Sequence, residues 1–388
     1  MAGEDILTDI GAGAVDPAEL ENVLLSHFSR CHSDGTDTLT YTVEDRPALE
    51  LKYAKSGKPV SLRTGPAFCP PDRDNLRRKI LEELLNPGPV KIGRTVMFSG
   101  VPFTGWYRFR DEFQFVPVPA GAPKPEFAAG DHPFILEVAF PSSGNPSVNN
   151  LRRGKREREI ELLCGLLLVP HVFGQSRYSQ FHWVYEPMVD GKLVSSFRQG
   201  GYSWDGANFQ IDTFSQTETL LPLTQIEPQT YYAMQGISAR QVLELPANFT
   251  NSVELVRSLS DQEHGRFLRA CYWYQQSFKA WLISRSIASA ALVSAIEALR
   301  PNPPEGVGLR EAFVNFVDQF APGVPVADRR SFYQLRSAIS HGGKLLHSDE
   351  VAWGISLQHM TEDHDLRSLS AIVRTALINW LNTPAPRP

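Results

Sequence analysis

From about Thr38 to Ile226 the chain repeats apolar positions with a period of two. Leu39, Tyr41 and Val43 alternate with threonines, Leu49, Leu51 and Tyr53 alternate again, and Leu136, Val138 and Phe140 repeat the pattern, as do Phe181, Trp183 and Tyr185. Tyr107, Phe109, Phe113 and Phe115 bracket an Arg-Asp-Glu segment able to turn a hairpin. Successive strand side chains point to opposite faces, so such runs, separated by Pro, Gly, Asn and Ser, predict antiparallel sheet in a sandwich or a barrel. Two helices interrupt it. Asp74 can cap one that carries Leu76, Ile80 and Leu84 and stops at Asn86-Pro87-Gly88; the second runs from about Gly154 into Leu163.

The period changes in the last third. Phe267, Cys271, Tyr274, Phe278 and Trp281 recur at four, seven, eleven and fourteen, the stripe of an amphipathic helix. Ile287 to Leu299 continues helical until Arg300-Pro301, and Phe313, Phe316, Val317 and Phe320 mark a third helix. Asp328 can cap a fourth with Phe332, Leu335 and Ile339 inward and Gly342-Gly343 as terminator. Thr361 opens a fifth, with Leu366, Leu369, Val373, Leu377 and Trp380 inward. The pattern predicts an α+β protein: a β-rich N-terminal domain over residues 1–235, an all-α bundle over 236–383, and a frayed tail at 384–388.

A length of 388 residues fits two domains. The formal net charge of −5 excludes a protein that coats nucleic acid through bulk charge, so any RNA or DNA contact is local. Four cysteines with no C-x-x-C pair point away from a zinc ribbon, a redox dithiol or a disulfide framework. The start MAGEDILTDI has no basic stretch of the signal-peptide kind, and the longest apolar runs (Leu162 to Val169, stopped by Pro170, and Ile287 to Ile296) are too short for a bilayer. A soluble cytoplasmic protein without a membrane partner is expected.

P-loop, H-E-x-x-H and G-x-S-x-G signatures are missing. What remains is R-x4-H in LRSAISHGG, formed by Arg336 and His341. As bare spacing it is weak: random placement of 28 Arg and 10 His gives about 0.7 such pairs. A second pair, Arg177 and His182, lies in a strand-like stretch and serves as a control. Arg336 and His341 instead sit at the end of a predicted helix, before two glycines, inside a bundle.

In this context the segment from roughly 260 to 383 resembles the HEPN superfamily, helical bundles with an R-x4–6-H motif, and within it the Apea-like HEPN group, which shows Leu-Arg-x-x-x-x-His-Gly strings. The upstream SAIEALRP, with Glu297, is similar to the E-A-L string of that group. The resemblance implies a dimer that brings two Arg–His pairs into one cleft and cleaves RNA without a metal or other cofactor, with roles in antiphage defence or toxin-like growth arrest. Two departures stand out: Ser337 follows the Arg where active members frequently carry Asn, Asp or His, and Gly343 stands where some toxin members have Tyr.

The chemistry is consistent with that implication. Five helical residues turn about 500°, so the two side chains point about 140° apart and need the helix end or a second helix to converge. Arg336 offers a planar fork of donors to a phosphate, and His341 a proton donor or acceptor toward the RNA 2′-OH and the leaving 5′ oxygen. The plainer alternative pairs Arg336 with Glu297 and makes His341 a helix cap. Glu297, on an otherwise apolar helix, either orients Arg336 or His341 or is an ordinary exposed residue.

Three other clusters carry weaker signals. The run Arg152, Arg153, Lys155, Arg156 and Arg158, interleaved with Glu157 and Glu159, reads as a solvated helix with internal ion pairs before it reads as a phosphate track. Tyr107-Arg108-Phe109-Arg110 reads as core and surface of one strand before it reads as a single-strand platform. His359, Asp363 and His364 read as an acidic helix start, with Thr361 as cap, before a metal site. The expected function is thus a metal-independent, dimeric HEPN-like endoribonuclease regulated by its N-terminal domain; the alternative is a non-catalytic dimerisation or nucleic-acid-binding bundle.

Overall fold

The computed structural model describes residues 5–10, 15–65, 67–86, 88–123, 132–168, 172–174, 181–189, 192–199, 202, 204, 210–233, 241–281, 283–300, 302–303, 305–351 and 356–383. Pro87, Pro170, Arg177, Pro301 and the tail 384–388 lie outside these residues.

The chain is α+β. Its first unit begins with α1 (Ile6–Ile10) and α2 (Pro17–His27), followed by four antiparallel strands in sequential order: β1 (Arg30–Ser33), β2 (Thr38–Val43), β3 (Arg46–Tyr53) and β4 (Pro59–Thr64). Asp16 caps α2 by accepting from the Ala18 and Glu19 amides. Glu44 and Asp45 take positive φ between the paired residues Val43 and Arg46, which matches the twist of a two-residue hairpin. Helix α3 (Pro70–Ile80) continues as a π turn over Leu81–Leu85. Its cap is Cys69 rather than Asp74, because Pro70 and Pro71 preset the first turn and lack the amides a helix start leaves unbonded. Leu20, Leu24, Tyr41, Leu49, Leu62 and Leu76 pack between helices and sheet.

The second sheet contains β5 (Val90–Ser99), β6 (Tyr107–Phe109), β7 (Phe113–Pro117) and β8 (His132–Pro141); it is crossed by α4 (Pro146–Leu167) and extended by β9 (Val172–Gly174) on β5. A separate hairpin joins β10 (Phe181–Val189) and β11 (Lys192–Gln199), and β12 (Gln210–Ile211) closes the order β12-β5-β8-β7-β6. Alternation works as expected: Met97 faces the main core while Val96 and Phe98 face Phe173 and Tyr202 on the other side. Tyr107 and Phe109 are buried and Arg108 and Arg110 exposed.

The two sheets share no buried cluster, and neither strand order closes on itself. Among the described residues, helices pack on one face of each sheet. A period of two reports that one face is buried and does not report what buries it.

After β13 (Gln225–Ile226), α5 (Pro228–Ala233) and β14 (Leu245–Pro246) come α6 (Phe249–Arg257), α7 (Asp261–Trp281), α8 (Arg285–Leu299), α9 (Leu309–Phe320), α10 (Val326–Ser340), α11 (His347–Glu350) and α12 (Leu357–Asn382). Their apolar stripes, including Phe267, Tyr274, Leu292, Phe313, Leu369 and Trp380, form one cluster with Phe115, Leu136 and Leu163 from the second sheet and α4. The main core therefore runs across position 235. Three further helix starts differ from the sequence pattern. α10 begins at Val326 behind Pro325, which places Asp328 in its first turn instead of at its cap. α4 begins at Pro146, where Asn145 accepts from the Ser147 and Val148 amides, eight residues before Gly154. α12 begins at Leu357 because the Ser356 hydroxyl accepts from the His359 amide, which places Thr361 inside the helix. Among the described residues no helix is long and apolar enough to cross a membrane.

Candidate functional site at the end of helix α10

Helix α10 is seated by Arg329 and Tyr333. The Arg329 guanidinium, 5% exposed, pairs with Asp318 at 2.7 Å and donates to the Val324 carbonyl. Tyr333 packs on Phe313 with ring centroids 5.4 Å apart. Of the expected inward residues, Phe332 packs partly on the core, while Leu335 and Ile339 stay half-buried. An apolar stripe on this helix is thus left partly open.

Arg336 projects to α8, where its Nη2 meets Glu297 Oε2 at 2.7 Å; both side chains are half-buried. The Arg336 Nε is buried without a hydrogen-bond partner. The Leu346 amide, past the end of α10, donates to Ser286 Oγ at the start of α8.

His341 is the residue on which α10 ends. Its amide donates to the Ser337 carbonyl at 3.1 Å, the Gly342 amide to Ile339 at 3.0 Å and the Gly343 amide to Ala338 at 2.9 Å. With Gly342 at φ +70, this is a Schellman termination, which the His-Gly-Gly string encodes. The His341 side chain is exposed and has no hydrogen-bond or ion-pair partner among the described residues. Ser337 lies half-buried one turn before it. Arg336 and His341 therefore occupy different faces: the guanidinium is fixed against Glu297, the imidazole faces solvent, and no hydrogen bond joins them. One copy of α10 does not assemble the pair.

Two clefts flank this helix end. One, of about 470 Å³, lies between α10 and α12 and is lined by Phe332, Leu335, Ala338, Leu346, Leu366 and Leu369, with Lys344 and Glu362 also at its wall. The other lies between α10 and the start of α9 and reaches Ser337.

The remaining clusters have structural partners. Asp349 accepts from Ser284 Oγ at 2.7 Å and from the Arg285 and Ser286 amides at 3.0 and 2.8 Å, which caps α8. Burial works to raise its pKa, and these hydrogen bonds outweigh it and hold the carboxyl below the usual range. Glu362 accepts from the His347 and Ser348 amides, and Asp363 pairs with Arg285 and Arg367. His359 packs against His347 with tilted rings, 5.0 Å between centroids. Among the described residues no group of three or more His, Cys, Asp or Glu is placed to hold a metal ion.

Every cation of the α4 run is paired: Arg152 with Glu19 at 2.7 Å, Arg153 with Glu157 at 3.4 Å, Lys155 with Asp16 at 2.6 Å, Arg156 with Glu159 at 3.3 Å and Arg158 with Glu161 at 2.6 Å. Two of these pairs cross to α2, which spacing within α4 cannot reveal. Arg152 also donates to carbonyls of Glu83, Leu84, Pro141 and Ser142, fastening the first unit to the second sheet. Arg108 and Arg110 are paired with Asp111 and Glu254.

No protein-family model, curated protein or solved structure shows a significant match to this chain.

Proposed function

We propose that the chain is a metal-independent RNA endonuclease of the HEPN kind, acting as a homodimer through its helical region under control of the β-rich N-terminal part. The observation that carries this reading is the contrast on α10: a solvent-facing, unpartnered His341 at a fixed helix end, beside an Arg336 whose guanidinium is already oriented by Glu297. An imidazole that holds nothing in the fold is free for proton transfer.

In the reaction, the 2′-OH attacks the adjacent phosphorus, the P–O5′ bond breaks, and a cyclic phosphate and a 5′-OH result. His341 accepts the 2′ proton or delivers one to the leaving oxygen, and Arg336 stabilises the added charge on the phosphoryl oxygens. The two side chains diverge on one helix, so the working cleft takes Arg336 from one copy and His341 from the other. The half-buried Leu335 and Ile339 on α10 support packing against a second copy. Ser337 supplies a hydroxyl beside the site but no proton acceptor comparable to Asp or His. The setting proposed is cytoplasmic, in antiphage defence or toxin-like growth arrest.

The test is overproduction in cells: the wild-type chain is expected to be toxic, and Arg336→Ala or His341→Ala to relieve toxicity at equal protein levels. Equal toxicity of the variants would overturn the assignment. A second reading has its own support. Glu297 gives Arg336 a structural partner and the His341 backbone completes the Schellman turn, as a non-catalytic dimerisation or nucleic-acid-binding bundle would need. Under that reading neither variant changes any RNA-cleaving activity.

A further inference from the structure

The cleft between the start of α9 and the flank of α10 has a volume of about 470 Å³ and is lined by Gly308, Leu309, Arg310, Glu311, Tyr333, Gln334 and Ser337. Its chemistry is that of an anion site. Helix α9 starts on Gly308, which has no capping side chain, and the first intrahelical amide bond is Ala312 to Gly308; the amides of Leu309, Arg310 and Glu311 have no acceptor among the described residues. These amides carry the positive end of a twelve-residue helix.

A second observation points the same way. Tyr333 is 9% exposed and its ring is fixed on Phe313, yet its hydroxyl has no hydrogen-bond partner among the described residues and is not sealed from solvent. Tyr333 is one of the residues that line this cleft. Arg310 is exposed and has no ion pair among the described residues, and Gln334 and Ser337 side chains likewise have no partner. The one carboxylate present, Glu311, leans toward Arg330 at 3.9 Å.

Ser337 and His341 lie one turn apart, about 6 Å along the α10 axis. We propose that this cleft binds a phosphodiester of single-stranded RNA next to the one that is cleaved, through the α9 amides, Arg310 and the Tyr333 hydroxyl; this rests on the ribonuclease reading. A volume in the range of small-ligand sites leaves room for the nucleotide attached to that phosphate, which a site for a free anion does not require.

The test uses the full-length chain with His341→Ala to prevent cleavage, and a fluorescein-labelled single-stranded RNA dodecanucleotide read by anisotropy. Arg310→Gln is expected to weaken binding three- to tenfold and to lower the salt slope by about 0.7, the value for one single-strand phosphate. Tyr333→Phe, which keeps the ring on Phe313, is expected to weaken binding two- to threefold, with melting temperature unchanged. RNA binding that neither variant alters would overturn the cleft and leave the ribonuclease reading in place. If no RNA binds at low salt but inorganic phosphate does, and Arg310→Gln abolishes it, RNA is the wrong ligand and the cleft is a free-anion site. Binding of neither would overturn both assignments.

Discussion

Helix α4 and the α9–α10 corner are both rich in cations, and they treat them differently. In α4, Arg152, Arg153, Lys155, Arg156 and Arg158 each have a carboxylate within reach, two of them on α2. At the α9–α10 corner, Arg310, His341 and Lys344 have no such partner among the described residues, while Arg329 and Arg336 are fixed. A charge whose field is already answered inside the fold contributes to the fold, and one left open is available to a ligand. Charge density along the sequence would have ranked these regions in the reverse order.

The largest effect that sharpens this contrast is catalytic. His341→Ala should lower RNA cleavage by about 10²–10⁴, the usual weight of a general acid or base. Lys155→Ala should leave turnover of the folded protein within about twofold. A reversed order would place function on α4.

Next comes stability. Arg152 is 8% exposed and Glu19 14%, so Arg152→Met leaves a nearly buried carboxylate without its partner and removes one donor from each of four carbonyls. A loss of about 3–5 kcal/mol is expected, read as an earlier urea midpoint for the first unit. An unchanged midpoint would mean that Val148 and its apolar neighbours hold the joint alone.

Glu157 gives a pH-dependent effect of the next size. Burial pushes its carboxyl up to about 7, against the pull of Arg153 and with help from Glu161. The 3.4 Å contact to Arg153 does not offset this, since neither Arg153 Nε nor Glu157 Oε1 is hydrogen-bonded. Between about pH 4.5 and 7 the folded chain keeps a proton that the unfolded chain releases, so this group's contribution to stability falls as pH rises through that window. Glu157→Gln should therefore stabilise the protein by about 1–3 kcal/mol at pH 8 and not at pH 4, which paired melting curves would show.

The fold's own signals were unevenly legible. The helix stop at Gly342-Gly343 and the stripes of α7, α9 and α12 could be read directly, because a local rule (a left-handed residue, a period of 3.6) decides each of them. Helix α2 has no clear signal in the sequence: Leu20, Val23 and Leu24 are too few for a clear period, and only Asp16-Pro17 marks its start. Leu335 and Ile339 were expected inside because periodicity treats an apolar face as a buried one. For the candidate site, the residues were legible from a motif and the Glu297 contact was anticipated as one alternative. The separate faces of Arg336 and His341 followed from helix geometry. The α9–α10 cleft is not visible in the sequence, since it depends on the contact of Phe313 with Tyr333, 20 positions apart.

Two smaller effects separate the halves of the motif. Arg336→Ala leaves Glu297 without its partner and should cost about 1–3 kcal/mol, whereas His341→Ala, on an exposed side chain, should stay within about 0.5 kcal/mol. Equal losses in chemical denaturation would show that the imidazole also has a structural contact. Gly342→Ala meets open space, so its cost of about 1 kcal/mol comes from the left-handed backbone alone. A neutral Gly342→Ala would mean the helix end relaxes.

The central claim is that the free imidazole at the end of α10 cuts RNA. Purified full-length protein incubated in excess EDTA with single-stranded RNA and the matching DNA, beside the His341→Ala variant, tests it most directly. RNA alone is expected to be cleaved, with cleavage lost in the variant; RNA cleavage that persists in His341→Ala, or a folded dimer that leaves RNA intact, would contradict the claim.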